Sequence, residues 1–298
     1  MNTLLGELGK KLAERWVSLL ALPGLLYLAT ATIAVTLGHS HALDYGLLRD
    51  TLSDWFTDPD LRSAGTVTLL LTGILLGSVA VGVGADAVGR LVERLWHLPP
   101  GRRSPLRLLT YRRNKRWQRE VRCADAPTVS SAELLRAVAA ADRICALEPG
   151  RPTWTGDRFR VTRERIRQSY GLDLDAAWPR LWLVLPDTTK EELTTAAGTY
   201  RAAARRWGWT LLYTALICWW FPAALITVGM VISAQLKVRN ATHGLTTLIE
   251  ATVDVHYRDL VAAMGIDPQH GQADPGSGEA LSAWFRKSRW DPDSPLFK

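Results

Sequence analysis

Apolar residues gather in blocks along this chain. Trp16–Leu37 and Ser63–Ala85 run without a charge. Each exceeds the roughly 20 apolar residues that carry a helix across a hydrocarbon core of about 30 Å. A third apolar run, Trp207–Gln235, contains the sequence "CWWFPAALI" at 218–226. As one helix it would be about 42 Å long and overshoot the core by about 12 Å. A hairpin turning at Pro222 instead predicts two short spans. Trp207 and Trp209 then lie at one interface and Trp219, Trp220 and Phe221 at the other, as in the aromatic belts of membrane proteins. Pro222 would open the second arm, where its missing N–H costs little. The hairpin is the preferred reading and a single span the alternative.

Elsewhere the periodicity is helical. "SSAE" (130–133) is a capping box that predicts a helix to about Leu147, closed by Pro149-Gly150. "TTKE" (188–191) opens another that runs unbroken into the third span. Leu236–Met264 continues the fourth, with Leu245, Leu248, Ile249, Val253, His256 and Leu260 on one stripe. His256 reads there as a packed neighbour. In "RQSYGLDLDAAWPRLWLVLP" (167–186), Tyr170-Gly171 breaks a charged helix and Pro179 is expected to start the next, with Trp178 and Trp182 on one face as an aromatic knot. From Asp267 the chain reads as a linker. It ends in "EALSAWFRKSRW" (279–290), amphipathic and suited to docking on a neighbour or on lipid.

Charge orients these blocks. The whole chain carries a net charge of +7. Between the first two spans stand Asp44, Asp50, Asp54, Asp58 and Asp60 against Arg49 and Arg62, whereas Val88–Arg122 is basic throughout, with only Glu93 and Glu120 opposing. Lys and Arg gather on the cytoplasmic side. Arg201, Arg205 and Arg206 before the third apolar run, and Lys237 and Arg239 after it, satisfy the same rule on both sides of a hairpin.

The expected architecture is an all-α integral membrane protein with four transmembrane helices. A helical cytosolic domain follows the second span and a helical stalk the fourth. The expected segments are a cytosolic amphipathic N-terminus (1–15), TM1 (16–37) with a bend at Pro23-Gly24, a short acidic external loop (38–62) and TM2 (63–88). The cytosolic domain (89–206), TM3 (207–221), TM4 (222–236), the stalk (237–264) and a flexible C-terminal tail with its short amphipathic segment (265–298) follow. Both termini are cytosolic. The first block is longer than a signal-peptide core, so it is read as a retained span.

Candidate chemistry changes this picture little. The three cysteines, Cys123, Cys145 and Cys218, have no metal or disulfide spacing. His39, His41 and Asp44 are read as a solvated loop in preference to a metal site. No catalytic triad, metalloprotease motif, phosphate loop or dinucleotide fingerprint occurs. No cofactor or catalytic residue is therefore expected.

The second span is the informative one. Wound at 100° per residue, it places Gly73, Gly77, Ala80, Gly84 and Ala87 on a seam of small residues suited to helix packing. Another face carries Thr68, Thr72, Leu75, Val79, Gly82 and Asp86, polar at both ends and apolar between. Of these, Thr68, Thr72, Leu75, Val79 and Asp86 are the pore-lining candidates, with Asp86 either at an inner mouth or paired with Arg90 at headgroup level. Arg102, Arg103, Arg112, Arg113, Lys115 and Arg116 form a basic cluster that either faces anionic lipid or serves as a topological signal alone. Nucleic acid is the weaker alternative.

"YGLD", "WPRLW" and "LP", in that order, resemble a segment of a little-characterised family of bacterial multi-pass membrane proteins, and "PTWTGDRFR" (152–160) fits the polar segment before it. The resemblance covers about 151–186. It implies the bacterial inner membrane and carries over no activity. In coarse layout alone the chain resembles bacterial bestrophin-like channels, with no shared motif. Two functions stay open. One is a homo-oligomeric channel or pore; the other is a membrane-anchored scaffold or effector whose cytosolic helices bind a protein. A transporter is disfavoured, because no internal repeat is visible.

Overall fold

The computed structural model describes residues 21–57, 63–99, 101, 106–126, 130–265 and 275–286. These residues form ten helices and no strand. The chain divides into two compact units, Met1–Glu93 with Ala202–Leu236, and Arg94–Arg201 with Lys237–Lys298. The expected N-terminal segment 1–15, Asp58, Asp60 and Arg62 lie outside the described residues.

In the first unit, α1 (Leu22–Leu37) carries Pro23 in its first described turn. It ends at Gly38, whose φ of 56° is left-handed. Residues expected as an external loop hold a helix, α2 (Tyr45–Thr57). Asp44 Oδ1 accepts from Leu47 N at 3.1 Å and satisfies one of the free donors of its first turn.

Helix α3 (Ala64–His97) is the one described helix long and apolar enough to cross a membrane. Only 11% of its most apolar stretch is buried within the chain, unlike the core helix of a soluble protein. The third apolar run is not one helix. With the intervening α4–α7 described below, α8 (Asp187–Leu216) ends before "CWWFP", and α9 (Ala223–Ala263) begins after it. Tight backbone turns bridge the gap, such as Trp219 N to Leu216 O at 3.0 Å and Leu225 N to Pro222 O at 3.1 Å. Trp220 Nε1 donates to Ala42 O at 2.9 Å, tying this turn to the one after α1. The core of the unit gathers Ala85, Trp209, Tyr213, Leu216 and Ala223. Tyr27 meets Tyr213 edge-on at 5.2 Å, a favourable aromatic geometry.

The second unit contains α4 (Leu106–Ala124), α5 (Ser131–Ile144), α6 (Trp154–Tyr170), α7 (Leu174–Val184) and α10 (Pro275–Phe285). The lower part of α9 and the start of α8 belong to it as well. The capping box forms at α5: Glu133 N donates to Ser130 Oγ, and Ser130 N to Glu133 Oε2 at 3.0 Å. Helix α6 stops at Gly171 with φ 64°. Helix α7 starts at Leu174, capped by Asp173, and Pro179 lies inside it, which corrects the expected start at Pro179. Burial decides this: Leu172, Ala177 and Leu181 are fully buried, so the core face winds through the proline. Trp178 and Trp182 pack half-buried at the edge of that core.

The C-terminal segment is corrected too. Residues 275–278, expected in the linker, open a helix (275–285) whose Leu281 and Phe285, from the amphipathic segment, complete the core with α9 residues Val253 and Leu260. Ser282 Oγ, fully buried, donates to Gly278 O at 2.7 Å and accepts from Asp173 N at 2.7 Å. Tyr170 donates its phenol proton to Asp254 Oδ1 at 2.7 Å, and burial, reinforced by that bond, pushes its pKa up to about 12. The His256 side chain is only 14% exposed, packed as expected, and its Nδ1 lies 2.8 Å from Asp259 Oδ2.

Candidate functional site

The geometry of α3 in the first unit bears most directly on function. Close helix contacts fall at Ser78, Ala85 and Gly89, all buried. A β-carbon on Gly24 of α1 would strike the Ser78 backbone. One on Gly89 would lie 2.9 Å from Arg205 Cα of α8, and one on Gly208 would lie 2.9 Å from Gly89 N and collide with Ala85 O. Ala85-x-x-x-Gly89 and Ala204-x-x-x-Gly208 are thus the small-residue pairs that let α3 and α8 touch backbone to backbone. Both were present in the sequence, but nothing there said that they face each other. Gly208→Ala is expected to cost about 1–3 kcal/mol by overpacking, read as a lower melting temperature of the purified protein.

The seam expected at Gly73, Gly77, Ala80 and Gly84 lies on another side of α3, more than a quarter turn away. Among the described residues, β-carbons on Gly73 and Gly84 meet open space. Gly77 approaches only Leu28 Cδ1, at 3.4 Å from an added β-carbon, and Ala80 is exposed. Among the described residues this seam makes no backbone contact.

Thr68, Thr72 and Leu75 are exposed, and Val79 and Asp86 half-buried. The hydroxyls of Thr68 and Thr72 donate to Ala64 O and Thr68 O, each at 2.8 Å, so the helix itself satisfies them. Asp86 accepts from Arg205 Nε at 2.8 Å and also pairs with Arg90 one turn on. Its charge is outnumbered, and it clips α3 to α8 immediately beside the glycine contacts.

The basic cluster splits. Arg102 and Arg103 lie outside the described residues, and Arg112, Lys115 and Arg116 are exposed. Arg113 is not lipid-facing: it points inward, donating to Asp157 Oδ2 at 2.7 Å, Arg151 O at 2.8 Å and Ile144 O at 3.0 Å. The α4 spacing explains this correction. Thr110, Arg113, Asn114 and Trp117 share the side that packs on α5 and the following loop, while neighbouring cations face out.

Sequence reasoning missed Asp157. It is 1% exposed in the first turn of α6, and its Oδ1 accepts from Gly150 N and Arg151 N at 2.9 Å each, and from Arg160 Nε at 3.1 Å. Arg151 in turn reaches His97 O. Its guanidinium is shifted below its ordinary value by burial and by repulsion from Arg163 and Arg160. The carboxylate is fully occupied and organises α4, α6 and the 144–151 segment. The buried Cys145 thiol beside it is pushed up, chiefly by burial, and so is a poor nucleophile. Among the described residues no metal-ligating group of three gathers, and His41 faces Ser40 Oγ at 3.0 Å. Comparison with known protein families, curated proteins and solved structures finds no match to this chain.

Proposed function

We propose that the chain is a bacterial inner-membrane protein that crosses four times, through α1, α3 and the facing ends of α8 and α9, with both termini in the cytoplasm. We further propose that copies assemble around α3 as a homo-oligomeric channel or pore. The observation that carries this reading is the exposure of α3 over residues 67–76 on every side within a single chain. Among the described residues neither Gly73 of the glycine seam nor the Thr68 and Thr72 face has a partner helix there. Lipid alone gains nothing from a backbone-baring glycine seam, whereas a neighbouring helix does. Exposed Leu225, Val228, Ile232 and Leu236 on the upper part of α9 supply a lipid-facing side.

In this arrangement Thr68 and Thr72 lie toward the outer end of an axial pathway, Leu75 and Val79 form an apolar constriction that gates by dewetting, and Asp86 holds the inner end in register through Arg205. In planar bilayers, Leu75→Ser is expected to raise unit conductance about tenfold or more by wetting the constriction. Gly73→Leu should leave the monomer fold intact and abolish both the ring and the current. Electron microscopy of the purified protein checks the ring. Silent bilayers with a monomeric particle would sink this reading. A second reading, a membrane-anchored scaffold, is favoured by Leu134, Leu135 and Val138, which stand exposed together on α5. Co-purification of a protein partner lost in Leu135→Asp would support it.

A further inference from the structure

We propose that the outer face of α4 docks on a membrane surface and takes anionic phospholipid headgroups. One side of α4 is committed to its own unit through Arg113 and Trp117. The opposite side exposes Arg112, Lys115, Arg116 and Arg119. Among the described residues none of these four forms an ion pair, and the one acid of the helix, Glu120, is half-buried. Four such cations on one helix face repel each other and call for an anionic partner.

Apolar residues on the same face choose among anions. Leu108 is 55% exposed, Leu109 47% and Tyr111 61%, all in the first two turns of α4. A nucleic acid or a free phosphate would use the cations and leave these side chains in water. A lipid surface uses both, because aliphatic and tyrosine side chains enter the headgroup boundary while the cations meet phosphate. The link from His97 to Leu106 spans at most about 30 Å even fully extended, which keeps α4 close to the end of α3. The proposal rests on α3 crossing a membrane and is independent of whether the protein conducts.

The test uses the full-length protein in lipid nanodiscs, with an environment-sensitive fluorophore at Gln118→Cys in a Cys123→Ser, Cys218→Ser background. Gln118 is exposed on the flank of the proposed face. With phosphatidylglycerol in the disc, emission should shift to the blue and be quenched by lipid spin-labelled at the headgroup. With phosphatidylcholine alone it should not. Replacing Arg112, Lys115, Arg116 and Arg119 together by glutamine should raise the phosphatidylglycerol fraction needed by about tenfold or more. If that variant melts differently from the parent, Leu108→Ser with Leu109→Ser decides: quenching should fall while dependence on lipid charge persists. Identical emission in both lipids would overturn the proposal. So would a shift produced by added oligonucleotide, or one that appears only when a disc holds two copies. Failure of the chain to insert into either disc overturns the membrane reading, and this proposal with it.

Discussion

Gly278→Val is expected to release α10 from the core of the second unit and to destabilise that unit by about 3–6 kcal/mol. The glycine lies where α10 crosses the end of α6. A β-carbon there would collide with Tyr170 O and come within 3.0 Å of Gly171 C. The opposing atoms are backbone, so no rotamer change relieves the clash. Gly171 cannot yield either. Its φ of 64° suits glycine, and a β-carbon on it would collide with Pro275 O. The chain's cheaper response is to undock the helix. That exposes Leu281 and Phe285, now 0% and 6% exposed, and breaks the Ser282 bonds to Asp173 N and Gly171 O. Two large apolar side chains returning to water account for the stated range, at about 1.5–3 kcal/mol each. Thermal melting and amide exchange over 275–285 check it. Glu279→Ala, at an exposed position on the same helix, should melt like the parent. If Gly278→Val also melts like the parent and keeps its slow exchange, α10 does not pack on Gly171 in solution.

Asp157→Ala is expected to cost about 3–5 kcal/mol, the range for removing one partner of a buried ion pair. The loss has two parts. Arg113, whose side chain is 19% exposed, and Arg160 keep their charges with no carboxylate between them. The N–H groups of Gly150 and Arg151 lose their acceptor in a site that water barely reaches. Asp157→Asn should fall between parent and alanine variant, because the amide oxygen still serves one set of donors. Urea titration of the purified variants orders them. Arg113→Leu with Asp157→Leu, which removes charge on both sides, should recover part of the loss. Equal stability of Asp157→Ala and the parent would mean that the 144–151 segment does not depend on this carboxylate.

Much of the secondary structure was legible because its determinants are local. The Ser130–Glu133 capping box satisfies donors within its own first turn and needs no distant partner. The apolar run of α3 announces itself by length, and Pro222 marks the break between α8 and α9 because a proline nitrogen cannot continue the donor ladder. The helical start at 275–278 was not legible for the same reason. The Gly, Pro and Ser residues of 275–278 look like a linker locally, yet Gly278 is there so that α10 can lie against Gly171, more than a hundred positions earlier.

The sequence by itself determined the α5 start, the break between α8 and α9, the apolar length of α3, and which α3 residues share a face. Only the tertiary structure decided which face meets what. A helical wheel assigns angles but is silent about the element that arrives at each angle. Gly73 and Gly89 are both glycines on α3, and only the position of α8 makes Gly89 a contact and leaves Gly73 open. Arg112 and Arg113 are adjacent and chemically identical. The 100° turn between them sends one outward and the other to a carboxylate forty-four positions away. Asp86 similarly became a clip between helices when Arg205 came within 2.8 Å of it, a distance fixed by the backbone approach of Gly89 and Gly208.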